Sequence, residues 1–124
     1  MVLALLPQPY TPELENEANK RFITQFQKAY HRPPGLIEMR GYDTGRLLIK
    51  ALAKLQGIWN GPQVVQLMKT LPVISPRHGE PLQFDTHGDA INPGYIFRVK
   101  RKGNQLVNEM IGQVPPINID DYQK

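Results

Sequence analysis

The sequence predicts an α/β fold in which one strand is followed by three helices and a C-terminal β-hairpin. Three observations lead there. Residues 2–6 form a continuous apolar run, and the stretches after it repeat apolar residues at three- and four-residue steps. Near the other end, residues 95–100 and 105–110 flank Arg101-Lys102-Gly103-Asn104, a hairpin turn.

Taken in order, the run from Val2 to Leu6 ends at Pro7 and fits a strand buried on both faces. A loop, Pro7-Gln8-Pro9-Tyr10, leads to Thr11-Pro12-Glu13, where Thr11 suits an N-cap, Pro12 a first helical turn, and Glu13, Glu15 and Glu17 the positive end of the helix dipole. A helix is therefore expected over 12–30. Leu14, Ala18, Phe22, Phe26 and Tyr30 form its apolar stripe, with Ile23 and Ala29 beside it. His31-Arg32-Pro33-Pro34-Gly35 ends it, because the residue before a proline avoids the helical region.

The second helix, expected over 35–56, contains Gly41-Tyr42-Asp43-Thr44-Gly45-Arg46 and then the stripe Leu48, Ala51, Leu52 and Leu55, with Arg46, Lys50 and Lys54 on the opposite face. Gly41 and Gly45 inside it imply close packing against a neighbour, and Gly57 a C-terminal stop. Trp59 reads as core. Asn60 caps a third helix whose apolar side is Val64, Val65, Met68 and Leu71, with Pro72 behind its end. Residues 82–84 are a short strand candidate, and the tail from Gln113, with Pro115, Pro116, Asp120 and Asp121, lacks periodicity.

Length and composition set the outer limits. A chain of 124 residues, 40% hydrophobic and 21% charged, suits one globular unit, and it has no apolar run long enough to span a bilayer. The absence of cysteine excludes disulfides, thiolate catalysis and cysteine-held metal. A net charge of +4 raises the question of nucleic acid, but the basic residues are scattered, and the one dense cluster, Arg98, Lys100, Arg101 and Lys102, lies where a hairpin would expose it. The first six residues lack the basic flank, length and cleavage site of a secretory signal.

Little in the sequence points to catalysis or to metal. His78-Gly79-Glu80 has the H-x-E order of zinc deaminases without their cysteines, and no serine-hydrolase elbow, zincin helix, phosphate loop or dinucleotide fingerprint is present. His31, His78 and His87 have no metal-ligand spacing and read as surface loop residues. Asp85, Gly88 and Asp89 could suggest a calcium loop, but the ligand series is incomplete, and a turn held by aspartate side chains is the better reading. The chain is expected to be neither an enzyme nor a cofactor binder.

Tyr42-Asp43 leading into Leu47-Leu48 and Ala51-Leu52, then Val64-Val65 and Leu71, then Phe84-Asp85 with Gly88-Asp89 and a strand over 95–99, resembles the C-terminal portion of the type I periplasmic solute-binding proteins, the leucine/isoleucine/valine-binding family that serves ABC importers. The apolar opening strand and a helix ending in Phe26 and Tyr30 fit as well. The resemblance covers residues 2–107 and implies a partial Venus-flytrap fold: residues 1–112 as an incomplete two-lobed binding unit, and 113–124 as an irregular tail. It further implies a small amino-acid-like solute, a membrane permease as partner, and the periplasm or outer surface as location.

Among ligand contacts, the resemblance carries over best to Tyr42, which either faces the cleft or packs the helix onto its lobe. Glu38 shares its helix face, and Tyr10 lies in the loop after the opening strand. Because much of the two-lobed fold has no counterpart here, Phe22, Phe26, Leu48, Leu52 and Leu55 are expected to lack partners, and the chain to self-associate. Two other readings stay open: a sensing domain of the same fold, and a basic module that binds nucleic acid with steep salt dependence.

Overall fold

The computed structural model describes residues 4–123. In chain order it has β1 (Ala4–Gln8), α1 (Glu17–Tyr30), α2 (Leu36–Lys54), α3 (Gly61–Thr70), β2 (Gly94–Lys102) and β3 (Gln105–Val114), then a 3₁₀ turn at Ile119–Tyr122. The strands form one antiparallel sheet in the order β1-β2-β3. No helix among the described residues is long and apolar enough to cross a membrane. The expected α/β architecture, strand, three helices and hairpin, is the one observed.

Several details differ from the sequence-based expectation. The strand predicted at Val2 begins, among the described residues, at Ala4 and continues through Pro7 to Gln8; Val2 and Leu3 lie outside those residues. Among the described residues it pairs on one side only, with β2, so it is an edge strand there with alternating burial, and Leu5 is exposed. An edge position also tolerates Pro7, whose missing N–H can face outward.

The first helix starts at Glu17, not at residue 12. Buried Asn19 explains the delay: its side-chain amide donates to the carbonyls of Pro12 and Leu14 at 3.1 and 2.7 Å, and its Oδ1 accepts from the Tyr10 hydroxyl at 2.7 Å. Residues 11–16 are thereby held as a loop, and Asn16, not Thr11, caps the helix by accepting from the Asn19 N–H at 2.8 Å. At the far end His31 takes a left-handed φ of 56° and closes the helix through its N–H to the Gln27 carbonyl. Gly79 sits across from Asn16. Its φ is +75°, and a Cβ there would lie 3.0 Å from the Asn16 Cβ, so only glycine fits.

The second helix buries Ala51 as expected, but Leu47 takes the inward place expected of Leu48. Met39, Asp43, Leu47 and Ala51 face inward, while Leu48 and Leu52 are 40% and 38% exposed. The shift brings polar Asp43 inside, where Ser75 receives it, and it turns Arg46 and Lys50 from a solvent face into grips: they donate to the carbonyls of Ile74 and Pro72, each at 2.7 Å. Gly41 and Gly45 have open space where a side chain would be, so neither serves close packing. Trp59 is 53% exposed and outside the core, because the 55–60 connector lies on the surface. The third helix is capped by Asn60 as expected, but only Val64 is buried and Val65 is exposed.

Residues 82–84 form no strand; Phe84 makes a single bridge to Ala90. The hairpin turns through Gly103, at φ +61°, and Asn104, and β3 extends through Gln113 to Val114. A bulge between Ile96 and Phe97 shifts the β2–β3 register, so Phe97 faces Met110. The main core joins both layers: Tyr10, Leu14, Phe22, Met39, Tyr95 and Phe97, with Phe26, Leu36 and Tyr42 packed against it. Phe22 is thus buried, contrary to the expectation that it lacks partners, and Phe26 is half-buried.

Beyond β3 the tail is tied back to the 85–89 turn. Asp85 Oδ1 accepts from the N–H groups of His87 and Asp89, both at 2.9 Å, giving the aspartate-held turn that the sequence suggests. Asp120 accepts from the Thr86 N–H at 3.0 Å and from its hydroxyl at 2.5 Å, with His87 Nδ1 at 3.9 Å. These bonds to Thr86 hold the Asp120 carboxyl below its ordinary range. A carboxylate lowered in this way contributes its grip above the ordinary pKa and loses it as pH falls through the lowered one. Amide protection over residues 117–123, measured against the intrinsic exchange rate at each pH, is therefore expected to fall on acidification and, at neutral pH, in Asp120→Asn. Protection that is unchanged in both cases would exclude the tie.

Candidate functional site

The residues singled out by the sequence do not converge on one cavity. Tyr10 is 2% exposed; its hydroxyl is used by Asn19, and burial, together with nearby Glu13, raises its pKa. Glu38 is occupied at the start of α2: its Oε2 accepts from the Gly35 N–H at 3.0 Å, and its Oε1 meets Arg32 at 2.7 Å. The Arg32 contact lowers the Glu38 pKa.

Tyr42 is half-buried at the edge of the core. Its ring lies 4.6 Å from that of Phe22, and the Arg46 guanidinium sits 4.8 Å from its centroid. The row continues through Phe26 and Tyr30, with Arg32 stacked 5.1 Å from Phe26. Among the described residues Tyr42 is the candidate whose polar atom is left without a protein partner.

Beside it lies a polar node that sequence reasoning missed. Asp43 is 7% exposed and accepts from the Ser75 hydroxyl, which itself accepts from the Arg77 N–H at 3.1 Å. The other carboxylate oxygen, Oδ1, is buried without a partner among the described residues. Burial raises the Asp43 pKa, while the Ser75 bond and the charges of Arg46 and Arg77 pull it back. Arg77 spans the layers: its Nε donates to the Pro9 carbonyl at 2.9 Å, and its own carbonyl accepts from the Tyr95 hydroxyl at 2.7 Å. No local pattern marks Ser75 or Arg77, which reach their partners only through the tertiary fold.

A groove of about 850 Å³ lies between the 13–16 loop and the hairpin, bordered by Glu13, Asn16, His78, Tyr95, Lys100 and Glu109 among others. Tyr10, Glu38 and Tyr42 are not among its walls. Two members of the basic cluster are internally matched: Glu109 receives Arg98 at 2.8 Å and Lys100 at 2.7 Å. Among the described residues no group of three or more histidine, aspartate or glutamate side chains could hold a metal ion.

Comparison with known proteins gives consistent relations. The profile of a family described as periplasmic binding protein matches residues 4–104. Among solved structures, a solute-binding protein of an ABC transporter from Rhodopseudomonas palustris BisB5, in complex with 3,4-dihydroxybenzoic acid, superposes with a TM-score of 0.78 at 24% identity over 96% of this chain and 32% of that one. A second from R. palustris, in complex with 4-hydroxybenzoate, gives 0.80 at 20% identity over 93% and 32%. A leucine-binding protein from Thermotoga maritima gives 0.66 at 21% identity over 94% and 31%. The chain thus spans about a third of the length of these structures. A search of curated proteins returned no match.

Proposed function

This chain belongs to the periplasmic binding protein family, and on that premise we propose that it forms part of the solute-binding component of an ABC importer and takes a small solute bearing a carboxylate. The observation that carries the reading is the family match over residues 4–104. The solute class is supported by the ligands of the structural neighbours, since benzoates and leucine share a carboxylate on an apolar body. Branched-chain amino acids and aromatic acids are the two groups to test. On this reading residues 1–112 carry the binding portion, a permease is the partner, and the periplasm is the location. Tyr42 is its ligand contact, with Glu38 and Tyr10 as supports behind it.

A thermal-shift series on the purified chain tests the proposal. A ligand that binds only the folded form stabilises by about 2.7 kcal/mol at one hundred times its Kd. A midpoint raised by leucine, valine, benzoate or 4-hydroxybenzoate, and not by the corresponding amides, is the expected result. No rise with any acid at millimolar concentration would reject the proposal.

A further inference from the structure

We propose that the free edge of β3 is a self-docking surface, on which a second copy of this chain lays its own β3 in antiparallel pairing to give a closed dimer with one six-stranded sheet. The inference is independent of the solute proposed above. Among the described residues β3 pairs only with β2, so its outer row of backbone N–H and C=O groups has no strand beside it. The two edges of the sheet are not alike. β1 is five residues long and contains Pro7, two features that blunt an edge against further pairing. β3 runs ten residues, Gln105–Val114, with no proline, lysine or arginine. Its one charge, Glu109, is already held by Arg98 and Lys100 of β2 at 2.8 and 2.7 Å. The bulge opposite Ile96 and Phe97 falls after Met110 and leaves residues 105–110 regular.

The side chains along this edge point to the same occupant. Met110 is the cross-strand partner of the core residue Phe97 and so lies on the helix side of the sheet, as do Asn108 and Leu106, two and four residues before it. Asn108 accordingly donates to Thr11 Oγ1 at 3.3 Å. Yet Leu106 and Met110 are 59% and 50% exposed, because the core takes Tyr95 and Phe97 from β2 and nothing from β3. Two identical strands in antiparallel pairing are related by a two-fold axis normal to the sheet. The helices of both copies then stand on one side, and the two grooves that β3 borders meet.

The register follows from chemistry. A pairing centred on Glu109 sets like charges opposite each other. A centre at Val107 sets Leu106 against an asparagine, and one at Met110 takes in the bulge. Centred on Asn108, the pairing sets Leu106 of each copy against the partner's Met110 and Glu109 against the partner's Val107, with the two asparagine amides facing each other at the axis. This contact uses the same patch on both copies and closes on itself, whereas β1 on β3 would continue head to tail.

Sedimentation equilibrium of the full chain over about 1–100 μM, the range suited to an interface of modest area, tests the proposal. A reversible equilibrium between one copy and two, and no further, is the expected result. Met110→Lys, which puts a cation into the apolar pair, should weaken it by at least about tenfold. Leu5→Lys on the β1 edge and Ile49→Lys on the exposed face of α2 should each change it by less than about twofold. In the unmodified chain, amide protection over residues 106–110 should rise with concentration, and that over residues 4–8 should not.

A chain that stays monomeric across that range, or whose mass grows past two copies, overturns the inference. So does a dimer weakened as much by Leu5→Lys or Ile49→Lys as by Met110→Lys, which places the contact on another face. If Met110→Lys fails to fold by circular dichroism, Leu106→Lys takes its place. Protection at 106–110 that does not depend on concentration overturns the inference whatever the variants do.

Discussion

Replacing Phe97 by alanine is expected to lower the unfolding free energy by about 3–5 kcal/mol, the usual range for truncating a buried phenylalanine. The side chain is 1% exposed and lies where the sheet meets both long helices, in one cluster with Phe22, Met39 and Tyr95. Since a domain's whole net stability is about 5–15 kcal/mol, such a loss brings the chain close to unfolding at ambient temperature. Urea titration of Phe97→Ala beside Ile58→Ala, whose side chain is fully exposed, makes the comparison. Equal midpoints for the two variants would show that Phe97 does not join the layers.

Ser75→Ala is expected to cost about 1–3 kcal/mol at neutral pH, because it leaves the buried Asp43 carboxylate without its only side-chain donor among the described residues. The cost should depend on pH in a stated direction. Burial raises the folded-state pKa of Asp43, so the native chain holds that proton more tightly than the unfolded chain does. The Asp43 contribution is then most favourable below the ordinary carboxylate pKa and is lost as pH rises through the raised value. Without Ser75 the value rises further, so the deficit of Ser75→Ala should widen with pH and narrow on acidification. Urea unfolding from about pH 4 to about pH 8 measures it, with Asp43→Asn as the variant in which the slope disappears. A gap of constant size across that range would rule the account out.

Local chemistry made much of this fold legible. The cap at Asn60, the end of the first helix before Pro33, the glycine at the hairpin tip and the aspartate-held turn at 85–89 each depend on residues within a few positions of one another, so spacing suffices to find them. What could not be read depends on partners far along the chain. Two apolar stripes one residue apart compete on α2, and the choice of Leu47 over Leu48 is made by Ser75 and Ile74, which take Asp43 and Arg46 from more than a helix away. Thr11-Pro12-Glu13 has every local mark of a helix start, yet Asn19 claims the carbonyls that such a turn would need.

The candidate site divides along the same line. Tyr42 is readable as a residue on a helix face, but its stacking under Arg46 requires that the 72–75 segment hold the guanidinium in place. Tyr10, by contrast, sits in a loop that its sequence gives no reason to bury, and only the fold encloses it. Family likeness finds the helix, and tertiary contacts decide which of its side chains remain free.

The register of β1 against β2 also orders events in time. Leu6 pairs with Phe97 and Gln8 with Tyr95, so this seam closes a loop containing all three helices. Closing a loop of that length costs chain entropy that grows with the logarithm of its size, and no local contact offsets it in advance. The helices and the β2–β3 hairpin, whose contacts are near in sequence, can form before that closure, whereas β1 has nothing to join until β2 exists. Assembly is therefore expected to run from the middle and the end of the chain back toward its beginning, with the first strand to be read from the sequence the last to find its place.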